Sequence, residues 1–71
     1  MIKVIQNPNL KEWFQVFQFD NLIDEMRSQS LAMRKAQRFA RKNGCENFSV
    51  ELNGEEEILS AKTLNNYVKK T

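Results

Sequence analysis

Histidine is absent from this 71-residue sequence, and cysteine occurs once, as Cys45. Without histidine, neither a Ser-His-Asp nor a Cys-His catalytic arrangement can be assembled, and a single cysteine excludes the common types of zinc site. The two glycines, Gly44 and Gly54, stand too far apart for a glycine-rich phosphate-binding loop. We therefore expect no enzymatic activity, no cofactor and no metal. Because one cysteine cannot form an intrachain disulfide, a reducing, cytoplasmic setting is expected.

Long apolar runs are also missing. No segment approaches the roughly eighteen apolar residues that a membrane-spanning helix needs, and Met1 is followed by strand-like sequence rather than by a signal peptide. We expect no membrane partner and a chain that starts at or near Met1. With 41% hydrophobic residues, the sequence predicts one small domain over 1–71 with a thin core that a second copy would help to stabilise.

Carboxylates are the remaining groups with acid–base or metal-binding chemistry. One cluster holds Asp20, Asp24 and Glu25, and a second holds the glutamates at 51, 55, 56 and 57. Their spacing does not match an EF-hand loop, and no apolar surroundings would raise a pKa. We interpret both clusters as solvated surface, and Cys45 as a small buried or half-buried residue rather than a nucleophile. No small-molecule ligand is evident.

The first part of the chain predicts two antiparallel strands. Residues 2–6 are rich in β-branched side chains and end at the turn signal Asn7-Pro8-Asn9. Residues 13–19 are aromatic and alternate, which places Phe14 and Val16 on one face and Trp13, Phe17 and Phe19 on the other. We expect one face to lie under a helix and the other to be exposed or covered by a partner.

The segment 22–27, after a turn expected at Asp20-Asn21, has two interpretations. It can be a third strand of a meander or an early start of the following helix. We favour the strand, because Ser28-Gln29-Ser30 supplies a separate helix start and the longer helix would exceed twenty residues.

The helix itself is predicted over 28–43. Ser28 or Ser30 can cap its first turn, and Gly44 can adopt the left-handed conformation that ends it. At about 100° per residue, one face is apolar, with Phe39 at its centre and Met33 at its margin. That face consists of Ala32, Ala36, Phe39 and Ala40, and the opposite face is basic and consists of Arg34, Lys35, Arg38, Arg41 and Lys42.

A hairpin is predicted after the helix. Residues 48–52 alternate, and Asn53-Gly54 is the strongest short signal for a type I′ turn, because both central positions need positive φ. Residues 55–59 return as a strand whose three consecutive glutamates suit a sheet edge. Residues 60–71 form either a short terminal helix or a frayed tail. The fold expectation is α+β: an antiparallel sheet, β-β-(β)-α-β-β, with the helix packed on one face.

Charge is segregated along the chain. Residues 27–42 carry six basic side chains and no acid, whereas residues 46–57 carry five glutamates and no base. The basic helix face could contact four or five phosphates, with Gln37 and Asn43 at its border able to touch bases or sugars. The alternative is a face that is solvated, or paired with the acidic stretch 46–57.

The aromatics Trp13, Phe17 and Phe19 also have two interpretations. They could stack nucleobases on a sheet surface, as aromatic platforms do. Packing in the core or at a dimer interface is favoured, because so small a chain must use its aromatics for burial.

The order of elements resembles a small bacterial and phage family of uncharacterised domains over about 12–58. The shared features are an aromatic strand, a capped helix with an A-x-x-x-A pattern, a glycine, a valine-containing strand and a glycine turn. They correspond here to residues 13–16, Ser28, Ala32, Ala36, Ala40, Gly44, Val50 and Gly54. The family's Trp-x-Val is Trp-x-x-Val in this chain, and the resemblance implies a fold but no activity.

The sequence therefore predicts a non-enzymatic interaction module, an accessory protein of a bacterium or phage that forms a homodimer through its exposed aromatic face or an open sheet edge. The alternative is a nucleic-acid-binding protein that uses the basic face of the helix 28–43.

Overall fold

The computed structural model describes residues 1–62, which form a single β-sheet with one helix packed against it. The fold class is α+β, as the sequence predicts. The elements in chain order are β1 Ile2–Gln6, β2 Phe14–Gln18, β3 Asn21–Met26, α1 Gln29–Lys42, β4 Asn47–Leu52 and β5 Glu55–Ser60. The five strands lie in the order β3-β2-β1-β4-β5, so β3 and β5 are the sheet edges.

The sheet is mixed, and the expectation of a purely antiparallel sheet is wrong at one junction. Strands β1 and β4 pair in parallel, with Val4 opposite Val50, whereas the other three pairs are antiparallel. Strands β1 and β3 are both antiparallel to β2 and so run in the same direction. Helix α1 then returns the chain to the starting end of the sheet, because β4 must begin where β3 began. The helix is a crossover connection, not the cap of a meander.

Residues 21–26 form a strand, which confirms the preferred interpretation of that segment. The turn before it lies at Phe19 and Asp20 rather than at Asp20-Asn21, since Asn21 already pairs with Gln18. A register shift between Val16 and Phe17 places Val16 opposite Asp24 and Phe17 opposite Leu22, so one residue of β3 bulges. Strand β2 is shorter than predicted, and both Trp13 and Phe19 lie just outside it.

The helix ends are those that the sequence predicts. Ser28 is the N-cap, and its hydroxyl accepts a hydrogen bond from the backbone N–H of Leu31 at 3.1 Å. At the other end Gly44 has φ 72°, and the backbone N–H of Cys45 donates to the carbonyl of Ala40 at 2.7 Å. The N–H of Gly44 donates to the carbonyl of Arg41, which completes a Schellman motif.

The core lies between α1 and the sheet. Its fully buried side chains include Phe48 and Met33, together with Val4, Val16 and the three alanines of the predicted apolar helix face. The expectation that Phe39 fills the centre is wrong, because Phe39 is only partly buried and packs against the core from its rim. The sequence predicts Met33 at the margin of the apolar face. The helix is rotated about its axis so that Met33 points toward the sheet and is fully buried.

The hairpin β4–β5 matches its prediction closely. Asn53 and Gly54 both have positive φ, 53° and 82°, as a type I′ turn requires. Strand β5 lies at the edge and extends to Ser60, one residue beyond the expected end. The expectation of a terminal helix or frayed tail over 60–71 falls on 63–71 for the most part, outside the described residues.

Candidate functional site

The outer face of α1 carries four of the five predicted cations as exposed side chains, namely Arg34, Arg38, Arg41 and Lys42. The fifth, Lys35, is half-buried: its Nζ donates to Oδ2 of Asp24 at 2.6 Å and lies 5.9 Å from the centroid of the Phe39 ring. Strand β3 brings Asp24 under the helix. Lys35 therefore ties α1 to β3 and is removed from the predicted nucleic-acid contacts.

Asp24 is held in its charged form by this arrangement. The hydrogen bond from Lys35, helped by a second from the backbone N–H of Glu25 at 2.8 Å, lowers the pKa of the Asp24 carboxyl, and partial desolvation opposes that shift only in part. Asp24 and Lys35 therefore form an ion pair that joins β3 to α1.

The neutral polar side chains at the border of the basic face are engaged within the chain. Gln37 Nε2 and Arg41 Nε both donate to the carbonyl of Ala61, the second at 3.0 Å. Asn43 Nδ2 donates to the carbonyl of Phe39 at 2.7 Å. The two residues predicted to touch bases or sugars, Gln37 and Asn43, instead fasten the helix to the chain after β5 and close its C-terminal turn.

The acidic hairpin does not neutralise the helix within residues 1–62. The ion pairs of this part of the chain are Lys35 with Asp24 and Lys3 with Glu56, the latter at 3.7 Å. Glu56 also accepts a hydrogen bond from the hydroxyl of buried Ser49 at 3.0 Å. Glu56 and its partner Lys3 thus lie on the sheet face opposite α1.

That opposite face, here called the open face, is lined by residues that strand pairing places together. One row across the sheet runs through Leu22, Phe17, Lys3, Ser49 and Ile58. Phe17, Phe19, Met1 and Ile5 line one shallow depression beside Lys3, Asp20 and Glu56. Leu22 and Ile58 are 51% and 53% exposed. The open face is therefore apolar at its β2–β3 end and carries a neutralised ion pair beside it.

Phe19 has an unusual backbone conformation for its residue type. It is the first of the two residues that connect β2 to β3 and has φ 57°, a positive value that Asp20 does not share. A turn with positive φ at its first central position prefers glycine there, and a bulky residue is strained. The ring is nevertheless 59% exposed.

Trp13 lies apart from the other two predicted interface aromatics. It precedes β2, and its ring lies 5.3 Å from the guanidinium of Arg27, at the opposite end of the strand from Phe19. Six residues of extended chain span about 20 Å. The structure thus brings Phe17 and Phe19 together but not Trp13.

Comparison with protein-family models, with curated proteins and with solved structures finds no match to this chain. The two surfaces themselves are therefore what indicates a function.

No group of three or more histidine, cysteine, aspartate or glutamate side chains in residues 1–62 is arranged to hold a metal ion. The helix of this region is too short and too polar to cross a bilayer. A second surface depression lies between the Asn7-Pro8 turn and the Asn53-Gly54 turn, where the Gln6 side chain bonds to both loops.

Sequence reasoning missed three members of the open face: Met1, Leu22 and Ile58. Ile58 shares a row with Phe17 only because β5, β4 and β1 are neighbours, which depends on the parallel junction. Leu22 reaches the row through the register shift in β3. Neither feature leaves a pattern in the sequence.

Proposed function

We propose that this chain is a non-enzymatic interaction module that self-associates by packing the open face of its sheet against the same face of a second copy. The proposal rests on the conformation and exposure of Phe19. Its backbone has a strained positive φ, and residues 1–62 leave more than half of its surface exposed to solvent. Strain of this kind costs about 1–3 kcal/mol and persists where the side chain has a role. Neither local backbone preference nor burial accounts for a phenylalanine at this position.

The surroundings of Phe19 support a contact surface. Phe17 and Met1 line the same depression, and Leu22 pairs with Phe17 on the neighbouring strand. Clustered apolar side chains with a polar rim are typical of protein interaction sites. The thin core of so short a chain provides the thermodynamic reason, since burial of this face adds apolar contacts that one copy lacks.

A second copy is the partner that the charges favour. In a two-fold interface each patch meets itself, so an uncompensated charge would meet its like. Lys3 and Glu56 form an ion pair within one protomer beside the patch. This pair neutralises the charge of Lys3 beside the patch, so Lys3 would not repel the Lys3 of a second copy.

The test is the molar mass of the folded protein by sedimentation equilibrium at high micromolar concentration. We expect two chains for the wild type and one chain for Phe19→Asn, because asparagine suits a positive φ and removes only the ring. The matched control is Leu10→Asn, which removes an equally exposed apolar side chain from the loop between β1 and β2. We expect this variant to keep the mass of two chains.

A single-chain mass for the wild type would contradict self-association. If the wild type and Phe19→Asn were both dimeric, the dimer would use another surface, such as the edge of β3 or β5. Circular dichroism of each variant confirms that the change in mass is not a loss of folding.

The compartment proposed for this module is the cytoplasm of a bacterium or of a phage-infected cell. The supporting observation is the single, half-buried thiol of Cys45, which leaves the core without a covalent crosslink and suits a reducing environment.

A further inference from the structure

The exposed cations of α1 form a continuous surface, here called the cationic stripe, which consists of Arg34, Arg38, Arg41 and Lys42. Steps of three and four residues place them on one side of the helix, and a rise of about 1.5 Å per residue spreads them over about 12 Å. The helix carries no acidic residue in its first turn, and Arg41 and Lys42 lie in its last turn. No carboxylate of α1 interrupts the stripe.

The stripe lacks intrachain counterions among residues 1–62. The carboxylates that do form ion pairs there, Asp24 and Glu56, are bound to Lys35 and to Lys3. Arg41 differs from its neighbours because its Nε is fixed on the carbonyl of Ala61. This bond orients the guanidinium before any ligand arrives, so less conformational entropy is lost on binding.

We propose that the cationic stripe binds the phosphate backbone of nucleic acid without reading its base sequence. Arginine offers paired N–H donors that fit phosphate oxygens, and a row of cations one helical turn apart matches a polyanion with regularly repeated charges. An arginine that binds phosphate is not available to read guanine, and adenine is read by asparagine or glutamine side chains that reach the base edge. Gln37 and Asn43, which border the stripe, are bonded to the carbonyls of Ala61 and Phe39.

Two other anionic partners fit the surface less well. An anionic membrane binds helices that insert an apolar face, but the apolar face of α1 is buried against the sheet through Ala32, Met33 and Ala36. An acidic protein would need an apolar anchor within the contact. Leu31 is the exposed apolar side chain of the helix and lies one turn before Arg34, so the stripe borders a single leucine, a residue type that is rare among the anchors of protein interfaces.

The stripe and the open face lie on opposite sides of the molecule, so this proposal does not depend on self-association. The helix covers one face of the sheet. On the other face, Glu51 of β4 and Glu56 of β5 lie opposite each other in the strand register. The acidic open face and basic helix face give the protein a charge asymmetry that would orient it toward a polyanion.

The experiment is a fluorescence anisotropy titration of labelled 20-mer oligonucleotides, single-stranded and duplex, at 25 to 200 mM salt. If three or four phosphates are contacted, the affinity between 50 and 200 mM salt should fall about 40- to 150-fold for the duplex and about 20- to 50-fold for the single strand. Oligonucleotides of unrelated sequence should bind with the same affinity. The same protein is titrated with vesicles that contain phosphatidylserine.

The decisive variant is Arg34→Gln with Arg38→Gln, since both side chains are exposed and neither forms an ion pair within residues 1–62. Its matched control is Lys11→Gln with Arg27→Gln, which removes the same two charges from exposed side chains outside the stripe and leaves the same net charge of zero. We expect the first variant to lose about two units of the salt slope and at least tenfold in affinity at 50 mM salt. The control should lose less than threefold.

Absence of binding at 25 mM salt would overturn the proposal, as would equal losses for the two double variants, which would show an effect of net charge alone. Binding to vesicles but not to oligonucleotides would assign the stripe to membranes instead. Phe19→Asn should retain oligonucleotide binding per protomer, which separates this test from that of self-association.

Discussion

The two faces of the sheet are built from the same strands but differ in what they cover. On the helix face, Val4, Val16 and Phe48 are fully buried beneath α1. On the open face, Phe17 is half-buried and Phe19 and Ile58 are more than half exposed. Alternation alone makes both faces apolar, but the one helix of residues 1–62 can cover only one of them. The face beneath α1, here called the closed face, therefore accounts for stability, whereas the open face leaves apolar side chains exposed.

The largest effect expected from this comparison is the difference in the free energy of unfolding between Phe48→Ala and Phe19→Asn. Removing a fully buried phenylalanine costs about 3–5 kcal/mol, which is much of the stability of a small domain. Phe19→Asn removes a ring of similar size from the open face and relieves a strained backbone, so the monomer should be unchanged or slightly more stable.

Urea denaturation followed by circular dichroism measures both variants, at a concentration low enough to keep the wild type monomeric. Comparable losses for the two phenylalanines would mean that the two faces contribute equally to the folded monomer. That result would remove the basis of the comparison.

A smaller effect concerns the rim of the closed face. Met33→Ala deletes a fully buried side chain and should cost about 2–5 kcal/mol. Phe39→Ala removes a larger side chain that is only partly buried, so we expect a loss of about 1–2 kcal/mol. The midpoints of thermal unfolding of the two variants give the order directly. A larger loss for Phe39 would restore the sequence-based expectation that Phe39 fills the centre of the core.

The elements that the sequence predicts well are those specified by local chemistry. Ser28 and Gly44 mark the helix ends because they satisfy backbone groups that any helix leaves unpaired. Asn53 and Gly54 specify their turn because few other residues tolerate positive φ at both positions. In each case the cause and its consequence lie within a few residues of each other.

The features that could not be predicted depend on distant parts of the chain. The parallel junction between β1 and β4 joins residues more than forty positions apart. The rotation of α1 that buries Met33 rather than Phe39 depends on the shape of the sheet beneath it. The diversion of Lys35 from the basic face requires Asp24 on β3, a strand that the sequence left open to two interpretations.

The smallest expected effect is the difference in stability lost when each of the two described ion pairs, one on each side of the sheet, is removed. Lys35 and Asp24 join α1 to β3 at 2.6 Å, whereas Lys3 and Glu56 lie 3.7 Å apart on the open face. We expect Asp24→Asn to lower the free energy of unfolding at pH 7. Glu56→Gln should change it by less than about 0.5 kcal/mol, because an exposed pair contributes little and glutamine still accepts from Ser49.

The pH dependence of Asp24→Asn tests the cause of that loss. The pKa of Asp24 is lower in the folded protein than in the unfolded chain, because its carboxylate accepts hydrogen bonds from Lys35 and from the backbone of Glu25. Its contribution is therefore present above the unfolded pKa of about 3.9 and is lost as the pH falls through the lower folded value. Urea unfolding at pH 7, 5 and 3 should show the difference between Asp24→Asn and the wild type shrinking only below about pH 4. A difference that stays constant over this range would mean that the asparagine acts through packing, and that the charge of Asp24 does not fasten the helix to the sheet.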